Sequence, residues 1–200
     1  MGFQYGNSYV QGMVAPLPVL NTLTTCVSRI RSGQASNALF RWFGDNSPAW
    51  TQDALRRADK MRSVFNLQSI TIGFEWLGMR GATTNAAAYP NSVPSIVPAA
   101  KVNTAQGMQL NLDEAFNRLP TYLPLAPTGI VNATGYHQSK LNTVLHELSH
   151  AILGTVDAPP GGCYGAQNAR TLATNNSAAA KINAENWGIF IEACGYHKAS

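Results

Sequence analysis

Apolar positions recur along this chain in two rhythms, and each predicts a kind of element. Leu20, Leu23, Val27 and Ile30 follow one another at steps of three and four, the spacing that lines one face of a helix. Ser47-Pro48 reads as the cap and first residue of a second helix. Ser accepts from a first-turn N–H, and Pro lacks an N–H that would go unpaired there. The inner side of that helix would be Ala54, Leu55, Ala58, Met61 and Phe65. Ile70, Ile72, Phe74 and Trp76 then alternate, which predicts a half-buried strand. Residues 86–89 suggest another, and Met108, Leu110 and Leu112 alternate again. Leu141, Val144, Leu145, Leu148 and Ile152 return to the helical period, and Gly154 supplies a stop. Residues 1–18 contain Gly, Asn and Pro and read as irregular. Three prolines make 90–106 an excursion, and 119–128 reads as a loop leading to the helix that stops at Gly154, with further helices after it. No repeat or linker breaks the order of helices, small sheet, helices. The expectation is one α+β domain over 1–200.

Composition narrows the class. Two hundred residues, 45% of them hydrophobic, suffice for one full core. Only 12% are charged, about half the usual share, a bias that suits an exported protein more than a cytosolic one. The net charge of +4 is modest. The one basic cluster, Arg56-Arg57 with Lys60-Met61-Arg62, falls on a predicted helix and reads as a solvated face, so no nucleic-acid partner is expected. No apolar run approaches the roughly 20 residues of a membrane span. The first basic residue is Arg29 and no apolar run follows Met1, so no signal peptide is visible. Gly6 stands where myristoylation needs Ser or Thr. The expected location is secreted or exported, behind a removed leader or by a leaderless route. Three cysteines, Cys26, Cys163 and Cys194, are too few for a disulfide framework. One bridge is open to them, with Cys163–Cys194 the expected pair; three buried thiols are the alternative.

The chemistry lies in the predicted helix that ends at Gly154. His146-Glu147-Leu148-Ser149-His150 reads H-E-x-x-H. Positions i and i+4 share a helix face with Cβ atoms about 6 Å apart, so His146 and His150 can both reach one metal. Glu147 is offset from that pair and can reach a water activated by the metal, as a general base. The bare motif also arises by chance on ordinary helices, and a structural zinc site would need a fourth protein ligand, often Cys. No C-x-x-C is present, which favours an open, hydrolytic zinc site.

Such a site needs a third protein ligand. Leu153 and Val156 occupy the places where a metzincin carries Gly and His, which excludes that class. Glu185 and Glu192 could serve as in thermolysin-like enzymes, but they lie 35 and 42 residues beyond His150. The nearest carboxylate is Asp157, in Gly154-Thr155-Val156-Asp157, which can swing back to the metal after the helix stops. An Asp capping the next turn is the alternative.

H-E-L-S-H followed by G-T-V-D and then Tyr164-Gly165 resembles the aspzincin metallopeptidases, the deuterolysins and peptidyl-Lys metalloendopeptidases, whose pattern is HExxH plus GTxDxxYG. Leu172-Ala173-Thr174 and Asn183-Ala184-Glu185-Asn186 are similar to the family's following helices, and Trp42-Phe43-Gly44 to an upstream W-F-G motif. The resemblance covers about residues 40–193, most strongly after 140. It implies a zincin-like fold, one Zn2+ per chain held by His146, His150 and Asp157, Glu147 as general base, and Tyr164 as transition-state stabiliser. Six residues separate Asp157 from Tyr164 where the family has two. The family's N-A-D acid is Glu185 here, and a second acid of its lysine-specific branch is Gly188.

These readings give a zinc-dependent endopeptidase acting on protein or peptide as a monomer. By analogy with the lysine-specific branch, Glu185 would bind a Lys side chain after the cut bond; its alternative is a solvated helix residue paired with Lys181. A secreted effector or toxin protease with one protein target, or a zinc-bound module without turnover, are the competing functions.

Overall fold

The computed structural model describes residues 2–5, 8–67, 69–74, 86–90, 108–112, 114–125, 138–158 and 163–198. Trp76 and the excursion after Pro90 lie outside them.

The first predicted helix is α2, Val19–Arg31, after a short α1, Ser8–Val14. It buries Val19, Leu23, Cys26, Val27 and Ile30, while Leu20 turns outward. Helix α3, Ser36–Phe43, was not anticipated as an element; it is short but buries Ala38, Leu39, Trp42 and Phe43. It ends at Gly44, whose φ of 67° is left-handed. A Cβ there would lie 2.1 Å from the Ala173 carbonyl oxygen, so glycine is required twice over at W-F-G. Helix α4, Pro48–Leu67, starts as expected: Ser47 Oγ accepts from the Trp50 N–H at 3.3 Å. Phe43, Trp50, Trp187 and Phe190 meet with ring centroids 5.0–6.1 Å apart. This aromatic cluster ties α3 and α4 to the C-terminal helix.

Strands β1, Gly2–Tyr5, β2, Ser69–Phe74, β3, Ala86–Pro90, and β4, Met108–Leu112, pair in the order β1-β2-β4-β3. The first three in that order run parallel, and β3 is antiparallel to β4 at the edge. The irregular reading of 1–18 is therefore corrected. Residues 2–5 satisfy their backbone groups against β2, and a four-residue strand is too short to leave a hydrophobic period.

After α5, Glu114–Asn117, the chain reaches α6, Lys140–Leu153, which packs on β3, α4 and α9, Ala184–Ile191. Helix α6 is buried on nearly every side, not along one stripe, and even Asn142, Thr143 and Ser149 are inside. Helices α7, Ala166–Asn175, and α8, Ser177–Ala180, lead into α9, which continues as a π-helical turn, Glu192–Tyr196. Gly188 sets the spacing of α6 and α9. A Cβ at 188 would come within 2.7 Å of Asn142 Nδ2 and 2.8 Å of the Asn142 carbonyl oxygen.

The expected Cys163–Cys194 bridge is absent. Cys194 lies against Cys26, and both are buried. The cause is Gly195, where a Cβ would fall 2.1 Å from the Thr22 carbonyl oxygen; glycine lets the π-turn press onto α2 and aims residue 194 at it. Burial raises the Cys26 thiol, and a hydrogen bond from Cys26 lowers that of Cys194. All three cysteines are thiols. Unfolding without reductant should therefore expose three thiols to a chromogenic disulfide reagent; one reactive thiol would mean a bridge. Among the described residues, no helix is long and apolar enough to cross a membrane.

Candidate metal centre

Helix α6 carries the motif, and its ends are well defined. Ser139 caps the start by accepting from the Asn142 N–H at 2.9 Å. Gly154 stops it in the left-handed conformation. The chain then runs alongside residues 182–184. The Val156 N–H donates to the Ile182 carbonyl, the Ala184 N–H to the Val156 carbonyl, and the Ala158 N–H to Asn183 Oδ1, at 2.9, 3.0 and 2.9 Å. These three bonds straddle Asp157 and turn it back towards α6. Asn183 also donates to Asn186 Oδ1, and Asn186 Nδ2 donates to the carbonyls of Trp42 and Ala169. The two asparagines of Asn183-Ala184-Glu185-Asn186 thus connect the Asp157 turn to the W-F-G corner.

His146, His150 and Asp157 converge. The two Nε2 atoms are 3.0 Å apart, and each is 3.3 Å from Asp157 Oδ1. Donors about 2.0–2.1 Å from a tetrahedral zinc lie roughly 3.3 Å from one another, so the triangle has the right size. The outer partners fix the tautomers. His146 Nδ1 donates to Glu185 Oε2 at 2.9 Å, and His150 Nδ1 to the Thr155 carbonyl at 2.8 Å. With both Nδ1 atoms committed as donors, the two Nε2 atoms face one point, where a bound cation would take their lone pairs in place of protons. Among the described residues this is the group of three side chains that could hold a metal ion.

The charges agree. Burial opposes a proton on His146, yet Asp157, Glu185 and Glu147 outweigh it and lift its pKa to about 10. Burial alone would also raise the Asp157 carboxyl, but hydrogen bonds from His146 and His150 hold it far below the usual range. A site that draws protons this strongly is one that a dication would neutralise. Glu147 is 7% exposed, with Oε1 3.9 Å from His146 Nε2. Tyr164 is at the site despite the longer spacing from Asp157. Its ring lies over His146 with centroids 5.9 Å apart, and its hydroxyl bonds to Asp157. Burial and the Asp157 charge raise its pKa, so it keeps its proton and remains a donor. The intervening residues 159–162 lie outside those described.

Glu185 occupies a different place from the one expected. It is fully buried, not at a substrate-facing surface. One oxygen accepts from His146 Nδ1 and, at 3.4 Å, from Gln138 Nε2; the other accepts from the Gly165 N–H at 2.9 Å. Nor does it pair with Lys181, which donates to Asp45 Oδ2 at 2.7 Å. Its carboxylate orients a histidine and ties Gly165, next to Tyr164, to the same point. Thr155 and Ser149 also belong to this outer layer. Their hydroxyls are 2.8 Å apart, and Ser149 donates to the His146 carbonyl. No sequence pattern marked either residue beyond membership of the two motifs.

Residues 118–192 match the family model Aspzincin_M35, described as lysine-specific metallo-endopeptidase. Comparison with curated proteins gives no match. Among solved structures, a zinc peptidase from Grifola frondosa is similar in fold, with a TM-score of 0.58 at 21% identity, covering 93% of this chain and 96% of that one. The matched segment contains the convergent histidines, the Asp157 turn and the Tyr164 corner together. Over residues 118–192 the chain is thus similar to the aspzincin metallopeptidases.

Proposed function

We propose that the chain hydrolyses internal peptide bonds with one zinc held by His146, His150 and Asp157, and with Glu147 and Tyr164 as its catalytic residues. The observation that carries this is the triangle of two Nε2 atoms and one carboxylate oxygen, with Glu147 and Tyr164 beside it. Zinc in that place supplies a Lewis acid that polarises the scissile carbonyl and lowers the pKa of water. Glu147 takes the proton of the attacking water and passes it to the leaving amine. Tyr164, protonated and adjacent, donates to the oxyanion that develops on the carbonyl. Glu185 holds His146 in its tautomer, and Thr155 does the same for His150.

Tyr164→Phe removes one oxyanion donor without removing the ring that lies over His146. Zinc content should stay unchanged, and kcat should fall about 10²–10³-fold. An unchanged kcat would take Tyr164 out of the chemistry.

A preference for Lys after the cut bond is a second reading, favoured by the description of the matching family. Glu185 is not its source, because its carboxylate sits behind His146. The Gly188 position is no source either, since it has no room for a side chain without movement of Asn142. We propose that the enzyme is broad in this respect. The test is mass spectrometry of the products of a mixed peptide pool. The expected result is new internal termini with no basic enrichment, and Glu185→Gln should slow cleavage without changing the residues found there. Lys enrichment at the new N-termini would restore the selective reading. The absence of any cleavage by zinc-saturated protein would favour a binding module.

A further inference from the structure

Glu192 is a second fully buried carboxylate on the C-terminal helical segment, and nothing in the chemistry above uses it. Oε1 accepts from the Leu123 N–H at 2.6 Å and lies 3.3 Å from His197 Nε2. Oε2 accepts from Ser139 Oγ at 2.5 Å. Ser139 is the N-cap of α6, and its Oγ already accepts from the Asn142 N–H, so its one hydrogen is committed to Glu192.

The spacing gives this contact its meaning. Glu185 and Glu192 are seven residues apart, and so are their partners on α6, His146 and Ser139. Seven residues are about two helical turns, so both pairs lie along one line of contact. Between them Gly188 brings α9 onto the Asn142 backbone. Helix α6 is therefore pinned at two points with its neighbour pressed between. One pin is the ligand His146 itself; the other is Ser139, remote from the metal.

We propose that Glu192 is a positioning residue for the peptidase site, fixing α6 lengthwise against α9 through Ser139 so that His146 meets Glu185 without strain. This rests on the reading that His146 and Glu147 carry the chemistry. Without the Ser139 pin, the contact between His146 and Glu185 alone sets the register, and any slip moves both Nε2 atoms and Glu147. Displacements of about 1 Å in such sites cost large factors in rate.

The experiment compares Glu192→Gln, Ser139→Ala, their double variant, and Leu39→Ala as a control in the α3 core. Gln keeps an oxygen for the Leu123 N–H but can face Ser139 with an amide, leaving the serine hydrogen without its acceptor. Measured for each are Tm, zinc Kd by competition with a chelating indicator, and kcat and KM per bound zinc, below the lowest Tm. Each single variant should lower kcat and weaken zinc about 10-fold, the low end for outer partners of metal ligands, with KM little changed. The double variant should be no worse than the poorer single, since both break one link. Leu39→Ala should lose Tm only. If the pin variants behave like Leu39→Ala, with Tm lowered but zinc Kd and kcat intact, Glu192 is merely structural and the proposal is overturned. If Glu192→Gln fails to fold, Ser139→Ala, which removes one hydroxyl, decides alone. If wild-type protein binds zinc but cleaves nothing, the peptidase reading fails, while the zinc Kd values still test the positioning.

Discussion

Glu147→Gln should keep its zinc and lose about 10²–10⁴-fold in kcat, the usual contribution of a positioned general base. Gln is nearly isosteric, so the buried space beside His146 stays filled and the three metal donors are untouched. What changes is the ability to accept a proton from water and deliver it to the leaving nitrogen. The loss should appear in kcat with KM nearly constant, because the interaction is made in the transition state. Zinc analysis of the purified variant separates this outcome from metal loss. A variant that retains full zinc and most of its turnover would remove Glu147 from the mechanism.

Asp157→Ala should act on the metal instead. It removes one of three protein donors and the carboxylate that both histidines face at 3.3 Å. Two imidazoles on one helix make a weak site, so zinc should be lost on dialysis against a mild chelator, and hydrolysis with it. The turn itself should persist, since its bonds to residues 182–184 are made by the backbone of 156, 158 and 184. Glu185→Ala is the discriminating comparison. As an outer partner of His146 it should weaken zinc about 10–100-fold without abolishing binding at saturating metal. If instead Asp157→Ala kept its zinc and Glu185→Ala lost it, Glu185 would be the ligand and Asp157 a turn residue.

The parts of this site that were legible in sequence are those whose geometry is local. His146 and His150 share a helix face by spacing alone. Asp157 comes back because Gly154 ends the helix and the next few residues turn. Tyr164 was legible only through resemblance, and its position survives the longer segment before it because Gly165 is tied to Glu185. What local pattern could not carry is the partner of a residue across the fold. Glu185 has Lys181 one turn away in sequence, which suggests a surface ion pair. The packing of α9 on α6 sets it against His146, and a different packing carries Lys181 to Asp45. The same limit applies to the cysteines, whose contact depends on how closely Gly195 lets the π-turn approach α2. The elements followed a similar division. Long periodic runs gave α2, α4 and α6, while β1 and α3 are too short to show a period.

The most direct test of the central claim is X-ray diffraction from zinc-loaded crystals, recorded on both sides of the zinc absorption edge. The expected result is one strong anomalous peak per chain, about 2.0–2.2 Å from His146 Nε2, His150 Nε2 and Asp157 Oδ1, with Glu185 still bonded to His146 Nδ1. A peak coordinated by Glu185 or Glu192 in place of Asp157, or none between the two histidines, would contradict the account.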